Sequence, residues 1–360
     1  MAGDAKGSRV FPAEWERHCR TVMQWPVYHK NGDIEDMRRC YASVARAIAR
    51  FEPVAMIARP DLAEGARRLC GGDADVEVLP IPHDDAWARD SVATFVRLSA
   101  EAGAGSEAGV ATKAGAGSGG GGSDRGRGGI AAVNWKFNAW GEKYPDWALD
   151  DAVTERLCSL WGMERIDAPL VLEGGSIHTN GAGVLLTTSE CLLNPNRNPG
   201  MPRGEIEAAL ARHLGQERVV WLPYGLCGDD TDGHVDNVCC FVGESTVLMQ
   251  WTDDRGDENR ARYEADYEVL AESGFAVEKI LQPPPLYLGE TRLAASYVNF
   301  VFANGGIVMP AFGGIAEEAD AAALQKMRGL FPRREVVAVK SLEMLKDGGN
   351  IHCATQQVPG

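Results

Sequence analysis

Apolar residues at Met37, Tyr41, Val44, Ile48 and Phe51 recur at the spacing of one helix face, which predicts a helix over Glu35–Phe51. Short apolar runs with strand character follow at Val54–Ala58 and Val76–Ile81, then the polar loop PHDDAWARDS, then a strand at Val92–Leu98. Further on, the pattern gives a helix over Trp147–Leu160, a strand at Gly183–Thr188, a helix over Arg203–Leu214 and a strand at Val219–Leu222. Cys239–Val242 and Thr246–Gln250 read as a hairpin, Asp257–Ser273 as a helix and Ala276–Leu281 as a strand. A second hairpin, Ser296–Ala303 with Gly306–Met309, turns at Asn304–Gly305, a pair suited to a tight hairpin. A helix over Glu317–Phe331, offering Ala322, Leu324, Met327 and Leu330 to a core, and a strand at Glu335–Val339 complete the series. The order strand, strand, helix, strand recurs at about the size of one supersecondary unit. Because hairpins mix with helices, a purely parallel sheet is disfavoured and a closed array of similar α/β units is expected.

One stretch breaks the pattern. Ser99–Gly129 is dominated by Ala, Gly and Ser and ends in SGGGGSDRGRGG. Such a composition buries too little apolar surface to offset its ordering entropy, so it is expected to be a disordered insertion. Both flanks read as parts of one strand-rich unit, so residues 99–129 interrupt a single domain of residues 1–360.

Composition narrows the function classes. A formal charge of −15, from 51 acids against 36 bases, disfavours a nucleic-acid partner and is compatible with a cationic small substrate. No run of about eighteen apolar residues occurs, which disfavours a membrane-spanning helix. The first residues, MAGDAKGSRVFPAEWERH, lack a secretory signal pattern. The nine cysteines are irregularly spaced with no CxxC pair, which argues against a zinc ribbon or a disulfide framework and for a cytoplasmic, reducing compartment.

The chemistry concentrates in five loops: Trp87–Asp90, Glu173–Gly175, Asn194–Pro199, Gly228–Asn237 and Gly348–Gln357. The last reads GGNIHCATQQ and sets one thiol, Cys353, in a polar, glycine-hinged segment, where a structural cysteine would sit among aliphatics. GDDTDGHVDN superficially resembles a calcium loop. Setting Gly233 at the sixth position of an EF-hand puts Gly228 at the first and Cys239 at the twelfth, which rules it out. Zinc on His234, Asp236 and Cys353 lacks any supporting ligand spacing. His234 then reads as an acid/base with Asp236 beside it. For the other histidines, His18, His29 and His213 are expected at helix ends or the surface; His83 and His178 lie near site loops without a role. His352 is expected to point away from Cys353, and Cys239 and Cys240 to pack. A guanidinium is planar and cationic, and its paired N–H donors match carboxylates. Two carboxylates on different loops could hold it flat for a thiolate to reach its central carbon, with a histidine protonating departing ammonia and later activating water.

LEGGSIHTNG, ECLLNPNRNP, GDDTDGHVDN, GETRLAASYVNF, NGGIVMP and the closing GGNIHCATQQVPG together resemble the agmatine deiminase (agmatine iminohydrolase) family, most closely its plant and algal members. The resemblance runs from about residue 12 to the C-terminus, apart from the insertion. It implies the guanidine-modifying (pentein) fold, a five-bladed α/β propeller of ββαβ-type units about a pseudo-fivefold axis. It implies hydrolysis of agmatine to N-carbamoylputrescine and ammonia in putrescine synthesis, with no metal or organic cofactor, and a homodimer. By position it makes Cys353 the nucleophile of a covalent amidino intermediate and His234 the general acid/base. Glu173 would orient His234 or touch the guanidinium, Asp90 and Asp236 would bind its nitrogens, and Trp87 would line the pocket along the alkyl chain. The chain departs from the family at WPVYHKNGD, near residues 25–33, where the far amine is expected, and the segment Pro283–Gly289 is shorter. Alternatives are a bacterial-type peptidylarginine deiminase, a free arginine deiminase, and a non-catalytic polyamine-binding protein.

Overall fold

The structure is a computed structural model that describes residues 9–72, 74–99 and 129–360. The first predicted helix spans Ile34–Ile48 and buries Met37, Tyr41, Val44 and Ile48. Asp33 caps it by accepting the Glu35 N–H at 2.8 Å, which satisfies a donor the helix itself cannot. This helix links two parallel strands, His18–Gln24 and Val54–Ala58; the second is buried along its whole length, as a strand covered on both faces must be.

The same construction repeats around the molecule. Thr94–Leu98 pairs antiparallel with Ile130–Lys136, which pairs parallel with Glu164–Val171. Ile177–Thr179, Val184–Thr188 and Arg218–Leu222 form a second such sheet, and Cys239–Gly243, Thr246–Trp251 and Ala276–Leu281 a third. Val301–Ala303, Gly306–Ala311 and Glu335–Lys340 form a fourth. In each, an antiparallel hairpin is followed by a helical crossover to a parallel strand. The fifth sheet draws its antiparallel strand from the far end of the chain: Thr355–Pro359 pairs with His18–Gln24, ahead of Val54–Ala58 and Val76–Pro80. That pairing fixes the Cys353 loop, because the strand it feeds is locked to His18–Gln24.

Several sequence expectations are corrected. The region Trp147–Leu160 holds two helices, Ala148–Asp151 and Val153–Trp161, and PHDDAWARDS contains a short helix, Ala88–Ser91. In the helix Glu317–Leu330 the core-facing alanine is Ala323, one turn before Met327, while Ala322 is exposed. His18, His29 and His213 are enclosed rather than superficial. His18 lies between the Glu52 carboxylate at 3.0 Å and the Glu14 carbonyl at 2.9 Å; His29 lies between Asp347 at 2.7 Å and Glu343 at 3.3 Å; His213 packs edge-on to Trp135. The disorder expected of the inserted segment concerns residues outside the described ones. Its flanks are neighbouring strands of one sheet, and Leu98 donates to the Gly129 carbonyl at 2.8 Å.

Asp266, in the helix Asn259–Glu272, is buried; one oxygen accepts the Tyr224 N–H at 3.1 Å and the other has no partner. Burial pushes its carboxyl up to about 8. An unfolded aspartate titrates near ~3.9, so between those values the folded state keeps a proton that the unfolded chain has lost. This contribution is fully present below about pH 4 and is lost as pH rises toward 8. Asp266→Asn should therefore reduce the loss of stability between pH 5 and pH 8.5 by on the order of a few kcal/mol, read from denaturant unfolding of both proteins at each pH.

Candidate active site

The five strongest candidate residues reach one point from four elements. Asp90 sits in the short helix Ala88–Ser91, Glu173 at the end of the strand Glu164–Val171, His234 and Asp236 on the loop before Cys239–Gly243, and Cys353 just before Thr355–Pro359. All are buried. The two loops that carry Asp90 and Glu173 interlock through Gly174–Gly175. A Cβ on Gly174 would lie 2.2 Å from the Arg89 carbonyl oxygen, and one on Gly175 would lie 2.5 Å from His234 Nδ1. The Gly175 N–H donates to Asp90 Oδ1 at 3.0 Å. The EGG string, unremarkable in sequence, is thus a close approach that only glycine permits. Gly175→Ala should displace His234 or Asp90 by a fraction of an ångström to an ångström and lower turnover by about 100-fold, with a near-native circular dichroism spectrum as the control.

The Cys353 thiol lies 3.2 Å from the Asn299 amide nitrogen and 3.5 Å from Asp236 Oδ2. Asn299 Oδ1 in turn accepts the backbone N–H groups of His352 and Cys353. Burial, then the negative charges of Asp236 and Asp90, push the thiol well above its ordinary value, against the Asn350 and Asn299 hydrogen bonds. His234 Nε2 is 3.6 Å from Glu173 Oε2 and Nδ1 is 3.8 Å from Asp90 Oδ1. Burial alone would depress the imidazole, but Asp90, Cys191 and Glu173 outweigh it and hold it well above 6.5. Burial and the nearby Asp236 and Glu173 charges push Asp90 up to about 6, against the opposing pull of His234. Burial also acts upward on Glu173 and Asp236, yet both are held low, Glu173 by His234 and Arg197 and Asp236 by His352.

Four buried polar atoms at this point lack a hydrogen-bond partner: both ring nitrogens of His234, Glu173 Oε2 and Asp236 Oδ1. Each such atom costs free energy unless a ligand satisfies it. A planar cation with several N–H donors would serve the two carboxylates while presenting its carbon to the thiol.

A pocket leads from the surface to this point. Trp87, Asp90 and Cys353 form its floor with Trp140, and Tyr28, Lys30, Asp85, Tyr144, Asp230 and Asp347 line its walls and mouth. Trp87 is held by the approach of Gly349, where a Cβ would fall 2.3 Å from its ring. Sequence reasoning missed Trp140, whose indole N–H donates to Asp90 Oδ2 at 2.9 Å. It sits in a left-handed turn, with φ of 51° at Ala139, 54° at Trp140, 93° at Gly141 and 61° at Glu142. Such a conformation is costly for residues other than glycine, and here Asn138 secures it by accepting the Gly141 N–H at 2.9 Å. Also missed were Asn299; Arg197, which donates to Glu173 Oε1 at 2.7 Å; and Arg89, a buried cation where an Arg–Asp neighbour pair would ordinarily be solvated. In the WPVYHKNGD stretch, Tyr28 donates to Asp85 at 2.6 Å, and Asp347 holds the backbone of Lys30 and Asn31 at 3.0 and 3.1 Å.

Among the described residues, two clusters bring three possible metal donors within 4.8 Å: Glu173, Cys191 and His234; and Glu14, His178 and His352. Neither suits a cation. Arg197 already occupies Glu173 and Arg89 occupies Glu14. His178 Nδ1 accepts the Phe241 N–H at 3.2 Å, so its other nitrogen carries the proton and has no lone pair to give.

The model of the Porphyromonas-type peptidyl-arginine deiminase family matches residues 10–359. The chain is 41% identical to the agmatine deiminase of Stutzerimonas stutzeri, over 97% of this chain and 95% of that one. Among solved structures it resembles an agmatine deiminase of Enterococcus faecalis, with a TM-score of 0.85, 28% identity and coverage of 98% and 96% of the two chains. It also resembles a Cys-to-Ser form of the Campylobacter jejuni agmatine deiminase with substrate bound, with a TM-score of 0.84, 27% identity and coverage of 100% and 99%. The fold is the five-unit α/β propeller of these enzymes, and the chain belongs to the Porphyromonas-type peptidyl-arginine deiminase family.

Proposed function

We propose that this protein hydrolyses agmatine to N-carbamoylputrescine and ammonia, a step toward putrescine. The observation that carries the reading is the floor of the pocket. There the Cys353 thiol and the Asp90 carboxyl line a pocket together with Trp87 and Trp140, Asp236 lies 3.5 Å from the thiol, and His234 lies 3.8 Å from Asp90 and 3.6 Å from Glu173. Asp90 and Asp236 bind the guanidinium nitrogens, and the aromatic wall covers the alkyl chain. Asp85, Asp230 and Asp347 near the mouth provide negative potential for a terminal ammonium.

In the first half-reaction the Cys353 sulfur bonds to the guanidinium carbon and a C–N bond breaks. The thiol's proton and the one from His234 both go to the leaving nitrogen, which departs as ammonium, and an amidino thioether remains. In the second half a water gives one proton to His234 and adds to the same carbon, and the C–S bond breaks as the water's other proton passes to the sulfur. The products are the ureido compound and the free thiol. Glu173, paired with Arg197, orients His234. No step calls for a metal or an organic cofactor.

The same reading makes the protein a cytoplasmic homodimer. The free state of all nine cysteines is consistent with a reducing compartment, and light scattering checks the dimer. No helix among the described residues is long and apolar enough to cross a membrane.

Ammonia release from agmatine, free arginine and a blocked peptidyl arginine tests the assignment. Turnover of agmatine alone is expected. Preference for the blocked peptide would replace it with protein modification. Silence on all three, with agmatine bound, would make this a binding protein.

A further inference from the structure

Behind Cys353 lies a second set of buried charges that the reaction above does not use. His352 turns away from the pocket, and its two ring nitrogens meet two carboxylates: Nδ1 lies 2.8 Å from Asp236 Oδ2, and Nε2 lies 3.0 and 3.1 Å from the oxygens of Glu14. Asp236 Oδ2 is in turn 3.5 Å from the Cys353 sulfur. Arg89 donates to Glu14 Oε1 at 3.1 Å and to Gln357 at 2.8 Å, which ties this chain of groups to the helix carrying Asp90 and to the C-terminal strand. All of these side chains are buried. The groups facing His352 are Asp236, Glu14, Arg89 and His178, whose ring stacks on it at 6.2 Å; those facing Asp236 are His352, His234, Arg89, Asp90, Cys240 and Cys353.

We propose that Glu14 and His352 are positioning residues: a carboxylate–imidazole–carboxylate chain that holds Asp236 ionised, with Oδ2 anchored and Oδ1 turned toward the guanidinium. The charges support this. Arg89 and a protonated His352 balance Glu14 and Asp236, so a charged imidazole can be buried here without a net cost in unpaired charge. A carboxylate with one oxygen engaged in a charge-assisted bond has a single orientation. Oδ1, the oxygen without a partner, is the one left for a ligand. The chain begins in the N-terminal PAEWE stretch and ends at the nucleophile, which gives that stretch a role in the site.

The proposal rests on Asp236 gripping a cation, and its test does not depend on which guanidine is the substrate. Alkylation of Cys353 is followed with 2-chloroacetamidine, a cation, and with neutral 2-chloroacetamide, and the ratio of their rates reads the carboxylates' hold on positive charge. In His352→Leu the anchor is gone and the Asp236 carboxyl rises toward neutrality. The ratio should fall about tenfold at pH 7, the equivalent of one pKa unit, and recover as pH rises and Asp236 ionises. In His352→Asn the amide nitrogen stands where Nδ1 stood, and the ratio should stay near that of the native protein. Glu14→Gln should give an intermediate loss with the same recovery at higher pH. A ratio unchanged in His352→Leu overturns the proposal. So does a loss equal in the Leu and Asn variants and flat with pH, which would mean that His352 only fills space. If the native protein fails to hydrolyse agmatine, the functional assignment falls while this ratio still decides the role of His352.

Discussion

Cys353→Ser should abolish ammonia release from agmatine, with turnover falling by at least about 10⁴-fold, while agmatine should still bind. The hydroxyl is a far weaker nucleophile than a thiolate, and its neighbours Asp236 and Asp90 make an alkoxide still harder to form. The residues proposed to hold the guanidinium and cover the alkyl chain are untouched by the change. Asn299 can donate to a serine oxygen as it does to the sulfur, so the loop keeps its shape. Isothermal titration with agmatine, run beside the ammonia assay, separates the two effects. Residual turnover within about tenfold of the native protein would remove Cys353 from the chemistry, because a nucleophile is not lost so cheaply.

Much of this site was legible because its loops depend on local chemistry that a sequence records. The Gly348–Gly349 pair marks a close approach, and a Cβ on Gly349 would fall against Trp87, whereas Gly174–Gly175, which reads in sequence as a turn, is a second close approach, against Arg89 and His234. The helix with Met37, Tyr41, Val44 and Ile48 was legible from its period alone, since its whole apolar face is buried. Three kinds of feature left no such record. Trp140 reaches Asp90 through a left-handed turn, and neither alanine nor tryptophan signals positive φ, so nothing local announced it. His18, His29 and His352 find their carboxylates 34, 318 and 338 residues away, through folding that brings the chain's two ends together. A polar side chain with so distant a partner looks like a surface residue until the sheet pairing is known. The sequence points to Ala322 where Ala323 is buried, because alanines carry little hydrophobic weight and a run of three hides the phase of the helix.

His234→Gln should lower turnover by about 10²- to 10⁴-fold and leave the alkylation of Cys353 by a neutral haloacetamide nearly unchanged. The two halves of this expectation follow from the opposite states of the two groups. Carboxylates hold the imidazole well above 6.5, so at neutral pH it carries its proton and stands ready as the acid for departing ammonia. Burial, Asp236 and Asp90 hold the thiol well above 9, so in the empty site it is protonated too. A protonated imidazole cannot take the thiol's proton, and removing it leaves the empty-site thiol as it was. What changes on binding is charge: a guanidinium seated between Asp90 and Asp236 cancels the negative field that opposes the thiolate. The rate of neutral alkylation should therefore still be rising at pH 9, whereas kcat should reach its plateau at lower pH. If both profiles rise together near pH 7 in the native protein, the thiol and His234 exist as an ion pair before substrate arrives, and activation does not depend on the charge of the substrate.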